Sequence, residues 1–361
     1  MSKHIFLSVF AALFATVCVR ASQIVVVDSA DGSPLSGAAV ISNRGVIKGL
    51  TDDDGAIGNL SSDDYPVSVR LIGYRDSVFT AVSDTMALVV DDFRLPEVTV
   101  STAARPVTRM LCYIREYSTG CTPKDTLQMY TEAMADVFLA DKNVKGYKDG
   151  DAKPRLLASR HFTRQADSQG LDSVYVSDDE ILVSFIDKQW SVPPLVLHEY
   201  DRIKAGERTD TIFGKYGPKN VMRKMPGLLT LKHDALADHK NRVMSPWLFK
   251  MLGLTVDFVQ VERTLAYIPN DAGVYDMDDF VSSGFTIRYL GKGKWFKKIF
   301  KVSEPVEFNL VVEMYPVDVT HLTIEEYKEL RKEKPDEKFV RPDIAPALHP
   351  AVQSIVDRLP Q

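Results

Sequence analysis

The 361-residue sequence is poor in cysteine (three), tryptophan (three) and histidine (seven), and its one long apolar run lies at the start. With so few sulfur and imidazole ligands, no second cysteine pair or nearby histidine completes a tetrahedral metal set, so no metal site is expected. One apolar run excludes a multi-span helical membrane protein. An excess of basic residues is missing as well. The 44 Lys and Arg face 49 Asp and Glu, a formal charge of −5, which disfavours a nucleic-acid partner. The sequence has no GxSxG elbow, P-loop, dinucleotide-binding GxGxxG or HExxH. Gly291-Lys292-Gly293-Lys294 lacks phosphate-loop spacing, and no cofactor is expected. What is there is ordinary globular composition, 45% hydrophobic and 26% charged. That is enough for a sizeable core and two or three domains.

Residues 1–21 have the layout of a secretory signal peptide. Lys3 and His4 precede an uncharged, mostly apolar stretch from Ile5 to Val19, and Val19-Arg20-Ala21 offers a cleavage site before Ser22. An uncleaved anchor is the second reading, although the run is short for a span of about 20 residues. A third is acylation at Cys18, where Val17 stands in place of the usual small residue. Cleavage removes Lys3 and Arg20, so the mature charge becomes 42 − 49 = −7. It leaves Cys112 and Cys121, a candidate disulfide in an oxidising compartment, with two separate thiols as the alternative. The expected location is therefore outside the cytoplasm, in the periplasm or at the outer membrane.

From Ile24 to Val100, short apolar or alternating runs are divided by turn residues. Ile24–Val27, 38–42, 46–50, 67–71, 78–82, 86–90 and Val98–Val100 give about seven strands, the density of a β-sandwich. Gly37 and Gly55 suit turn positions with positive φ, and Asp52 can accept amide hydrogen bonds within its own turn. Asp52, Asp53 and Asp54 are also a conceivable calcium cluster, but without the spaced ligands of a calcium loop.

Four blocks make this segment specific: Gly32-Ser33-Pro34-Leu35-Ser36-Gly37-Ala38 with Val40, Thr51-Asp52-Asp53-Asp54-Gly55, Leu71-Ile72-Gly73-Tyr74, and Leu95-Pro96-Glu97-Val98-Thr99-Val100. In order and spacing, residues 22–100 resemble the carboxypeptidase regulatory-like domain, a prealbumin-type sandwich of secreted and outer-membrane proteins of Bacteroidetes-type bacteria. Ala56-Ile57 departs from the pattern, because the family carries an aromatic residue two places after the glycine. Ile57 or Leu60 must then fill that volume. The resemblance implies an accessory module, not a peptidase. The rest of the chain shows no succession of lipid-facing strands, which points away from the transporters that carry a similar domain.

Ser101–Thr108 is small and polar and is taken as a linker, leaving 109–361 as a larger α+β domain with an antiparallel sheet. Thr122-Pro123-Lys124-Asp125 has the chemistry of a helix start, and Leu127, Tyr130, Met134, Val137 and Phe138 recur at helical spacing, so a helix is expected to about Leu139. Strands are expected at 174–176, 181–186, 256–268, 284–290 and 306–315, the last three in one sheet. Thr323-Ile324-Glu325-Glu326 is a second capping box. Val352, Ile355, Val356 and Leu359 mark a last short helix.

Candidate chemistry is sparse. His198-Glu199 is the least weak base and orienter for an envelope hydrolase, a peptidase or glycosidase, with a surface strand end as the plain alternative. His233 and His239 lie six apart in a stretch whose default reading is a solvated helix, with Asp234 and Asp238 on one face. The most unusual segment is 288–301, where Arg288, Lys292, Lys294, Lys297, Lys298 and Lys301 surround Trp295, Phe296 and Phe300 without an acidic residue. Such a segment suits an anionic membrane surface or an acidic partner. The alternative is a hairpin whose lysines pair with Asp271, Asp276, Asp278 and Asp279. The expectation is an exported envelope protein whose sandwich is a non-catalytic binding or docking module toward a protein or glycan, with the hydrolase as second reading.

Overall fold

The computed structural model describes residues 23–58, 60–91, 105–148, 154–167, 172–175, 192–239, 247, 251, 253–300, 302–334 and 338–357. The leader, the Leu95–Val100 block, 176–191 (with the strand expected at 181–186) and Lys301 lie outside these. The protein is mostly β, with several sheets that are antiparallel but for one pairing and a few short helices.

The first seven strands are β1 (Ile24–Asp28), β2 (Ala39–Ile41), β3 (Ile47–Leu50), β4 (Ala56–Ile57), β5 (Val67–Arg70), β6 (Ser77–Phe79) and β7 (Thr85–Leu88). They form a three-stranded sheet in the order β4-β1-β7, with β1 and β7 parallel, and a four-stranded sheet in the order β3-β2-β5-β6. Val26, Ile57, Met86 and Leu88 of one sheet share an apolar core with Val40, Val67 and Val69 of the other. Ile57 is buried there, with Leu60 packed at its margin, so Ile57 fills the volume left by the missing aromatic residue. Gly37 and Gly55 have φ of 79° and 70°. Asp52 accepts amide hydrogen bonds from Asp54 (3.0 Å) and Ala56 (2.9 Å), which makes the acidic run a hairpin turn. Tyr74 is buried with its hydroxyl donating to Asp28 at 2.8 Å.

Ten further strands build one long antiparallel sheet in the order β11-β10-β9-β8-β19-β18-β16-β15-β14-β13. They are β8 (Val107–Cys121), β9 (Asp125–Leu139), β10 (Arg155–Asp167), β11 (Asp172–Tyr175), β13 (Thr209–Phe213), β14 (Pro218–Met225), β15 (Leu228–Asp234), β16 (Leu254–Tyr267), β18 (Phe280–Gly293) and β19 (Val306–Leu322). A two-stranded ribbon pairs β12 (Leu197–His198) with β17 (Val274–Tyr275). The helices are α1 (Asp201–Lys204), α2 (Lys294–Phe300), α3 (Ile324–Lys332) and α4 (Pro350–Val356).

The large sheet is covered on both faces, because period-two alternation sends successive side chains to opposite sides. One face carries the main core: Met110, Cys112 and Ile114 of β8, Met129, Ala133 and Val137 of β9, Phe285 and Ile287 of β18, and Leu310, Val312 and Met314 of β19. On the other face, Met225, Leu228, Ala266 and Val281 pack into the core of the first seven strands. Beside them α4 covers Tyr130 and Phe162, and α3 brings Tyr327 against Phe138.

Three expectations change here. Residues 125–139 are strand β9, not a helix. Thr122 does accept the Asp125 amide at 2.8 Å, as a cap would, but the bond closes the turn between β8 and β9. Leu127 and Val137 face one side of the strand and Tyr130 and Phe138 the other, and both sides are buried. Apolar residues on both faces imitated a helical period. Cys112 and Cys121 are free thiols. Nine residues apart on one extended strand, they are separated by roughly 30 Å, far beyond the ~7 Å that a disulfide tolerates between Cα atoms. His233 lies on β15 and Asp234 ends it, so no solvated helix holds them.

Candidate functional site

The most developed concavity lies between the seven-stranded unit and the large sheet, with a volume of about 190 Å³. One wall is the chain between β1 and β2, with Pro34, Leu35 and Ser36, joined by Leu71, Ile72 and Tyr74. Local hydrogen bonds fix that loop. Asp31 accepts the Ser33 amide at 2.9 Å. Thr51 donates to the Leu35 carbonyl at 2.6 Å and accepts the Ala38 amide at 2.8 Å, tying the loop to the acidic turn. The opposite wall is the sheet: Val221 and Arg223 of β14, Thr230 and Lys232 of β15, and Thr264 of β16.

Two cations bridge the walls. Lys232 Nζ lies 2.7 Å from Asp53, 2.9 Å from the Ser36 hydroxyl and 3.3 Å from Glu262. Burial pushes the Glu262 carboxyl up, against the pull of Lys232. On Lys232 burial acts downward, but Glu262 and Asp53 prevail and its pKa is raised. Arg223 Nη2 donates to both Asp31 carboxylate oxygens, at 2.9 and 3.0 Å, and to the Ser33 hydroxyl. The Ser33 hydroxyl and amide, with Arg223, hold the Asp31 carboxyl at about 2. Both cations are thus engaged by carboxylates of the chain itself. Chemically the arrangement clamps two layers together around a small half-apolar space.

His198 and Glu199 are not brought together as an acid–base pair. His198 is exposed on β12, whereas Glu199 turns inward. Glu199 accepts hydrogen bonds from Lys224 Nζ at 2.6 Å and from the Tyr275 hydroxyl. Burial alone would raise its pKa, yet these bonds prevail and lower it, so it stays ionised as the partner of Lys224. His233 lies with Nδ1 2.6 Å from Asn220 Oδ1. Burial, with Arg263 and Lys219, lowers its pKa.

The basic segment spans the end of β18 and all of α2. Arg288 pairs with Glu307 of the adjacent strand at 2.9 Å. Lys292, Lys294, Lys297 and Lys298 are exposed. At 100° per residue Lys294, Lys297 and Lys298 share one face of α2 and Phe296 lies opposite. Phe296 is buried over Gly291, where an added Cβ would come 2.1 Å from its ring. Trp295 falls within α2. The alternative pairing with Asp271, Asp276, Asp278 and Asp279 does not occur. Those residues precede β18 and the lysines follow its start by 12 residues or more, which at about 3.3 Å per residue is roughly 40 Å.

Sequence reasoning missed the polar set buried beneath α3 and α4. Glu132 accepts hydrogen bonds from the Tyr113 hydroxyl (2.7 Å), the Tyr130 hydroxyl (2.8 Å), Arg341 (2.7 Å) and Arg160. Asp136 pairs with Arg109 (2.7 Å) and Arg155 (3.3 Å), and Glu313 with Arg70 (3.3 Å) and Arg115. The signal was present as alternation in Tyr113-x-Arg115-x-Tyr117 and Gln128-x-Tyr130-x-Glu132, two strands whose polar side is covered.

Comparisons with known proteins add little. No protein-family model matches the sequence, and no curated protein does either. A search of solved structures returns one titled "Lipid-protein interactions in lipovitellin". It is 9% identical, with a TM-score of 0.33, over 60% of this chain and 26% of that one. This chain therefore matches about a quarter of that protein's length.

Proposed function

We propose that the chain is an exported envelope protein of α+β multidomain type. In this reading residues 22–100 are a carboxypeptidase regulatory-like sandwich that serves as a non-catalytic docking module for the larger domain. One observation carries it. The two loops that bear the family-like blocks, Gly32–Ala38 and Thr51–Gly55, supply Ser36 and Asp53 to Lys232 and form a wall of the cleft. Asp31 and Ser33 reach Arg223 in the same way. Those residues bind; none is arranged to react. The magnitudes favour a stable seam. Each large apolar side chain fully buried between the layers contributes about 1.5–3 kcal/mol, against roughly 0–1 kcal/mol for an exposed ion pair. Met225, Leu228 and Val281 therefore hold the module in place, and the polar pairs set its orientation.

Fractionation of cells expressing the full sequence tests export. The expected product begins at Ser22 and partitions with the envelope. An intact Met1 on a cytosolic species overturns the reading.

A further inference from the structure

The lysine-bearing end of the molecule carries a feature that the sequence did not advertise. Trp247 and Met251 are both helical and 64% and 66% exposed. Four residues apart, they lie on one helix face. They are also close to α2. Gly253, two residues beyond Met251, accepts the Lys294 amide at 3.2 Å and faces the methylenes of the Lys294 side chain. Leu254 pairs with Gly293 across the sheet. Leu290, one turn of the pleat before Lys292, is 40% exposed. Three exposed large apolar side chains thus adjoin four exposed lysines on a protein whose formal charge is −5. Scattered surface apolar residues are common. A tryptophan beside a cluster of lysines at one end of an acidic molecule is the composition of an interfacial membrane contact.

We propose that this end is a peripheral membrane-binding face. Lys292, Lys294, Lys297 and Lys298 meet anionic phospholipid headgroups, while Trp247 and Met251 enter the boundary with the acyl chains. The inference rests on the envelope reading for its setting, but its test does not depend on export. The architecture suits the role. Phe296, locked over Gly291, holds α2 against the sheet, so the lysines of its outer face are presented together. The nearby acids differ in availability: Glu307 is taken by Arg288, whereas Asp257 and Glu304 are exposed. A bilayer is favoured over an acidic protein because Trp247 and Met251 offer apolar area that a purely electrostatic partner leaves in water.

The test is co-sedimentation of the chain from Ser22 onward, which keeps every described residue. The vesicles are phosphatidylcholine alone or with 30% phosphatidylglycerol. Binding is expected on the anionic vesicles only, weakening at 0.5 M salt. Each lysine near such a surface is worth roughly fivefold in binding. The triple variant Lys294→Gln, Lys297→Gln, Lys298→Gln should therefore bind about a hundredfold more weakly. Trp247→Ala should weaken binding to the anionic vesicles with its salt dependence intact, and circular dichroism shows whether each variant is folded. Equal binding to both vesicle types overturns the proposal, as does a folded triple variant that binds like the parent. Binding to polyglutamate with no loss from Trp247→Ala on vesicles also overturns it, in favour of an acidic protein partner. A cytosolic chain that still binds anionic vesicles removes the export reading and leaves this one standing.

Discussion

At the scale of single residues, the chain contrasts in where its charges are placed. The lysines of 292–298 lie in water, whereas Glu132 has no exposed surface and is met by two arginines and two tyrosine hydroxyls. Removing one partner of a buried ionic set leaves the others desolvated without compensation, a cost of about 3–5 kcal/mol. Glu132→Ala is therefore expected to lower unfolding free energy by about that amount in a urea titration. It should also expose the chain around Arg341 to proteolysis, since Arg341 holds that segment to the sheet. A loss below about 1 kcal/mol would show that the arginines find other partners. Glu132 was illegible in the sequence because a carboxylate between Thr131 and Ala133 reads as solvent-facing. Only the later C-terminal segment, 209 residues on, covers it.

At the scale of elements, legibility followed how local the determinants are. The Asp52 turn, the positive-φ glycines and α3 depend on residues within a few positions of one another, and each forms where the sequence places it. The three long strands β16, β18 and β19 also fall at the expected runs and share one sheet. Strand β9 did not, because its burial on both faces is imposed by distant chain. Thr122 and Thr323 make the contrast plain. Both hydroxyls accept the amide three residues on, but only Thr323 leads into a helix, where Glu326 returns the bond to the Thr323 amide at 2.8 Å. Replacing an N-cap threonine costs about 1 kcal/mol. Thr323→Ala should accordingly cost about 1 kcal/mol and speed amide exchange in the first turn of α3. The same substitution at Thr122 should leave α3 exchange untouched. Unchanged exchange in Thr323→Ala would mean that Tyr327 packing alone holds the helix.

At the scale of the whole molecule, the arrangement depends on how the seven-stranded unit meets the ten-stranded sheet. The recognisable blocks announced the unit, but nothing in them announced its seat, since Arg223, Lys232 and Glu262 lie more than 150 residues away in the chain. The sharpest probe of that seat is Lys232→Met, which keeps the length and apolar stem of the side chain and removes its charge. Glu262 is buried and one of its oxygens has no hydrogen-bond partner among the described residues. Losing Lys232 leaves it an uncompensated charge at neutral pH, a penalty of about 3 kcal/mol. The sign of the pH dependence follows from the direction of its shift. Burial already raises the folded-state pKa of Glu262, and loss of the lysine raises it further. The folded variant therefore binds a proton that the unfolded chain releases, and its stability recovers as the pH falls through the raised pKa. Urea titrations of parent and variant at pH 8 and pH 5 should show a gap that is widest at pH 8. A gap of the same size at both values would mean that the lysine acts through Asp53, which is 58% exposed, and that Glu262 does not anchor the seam.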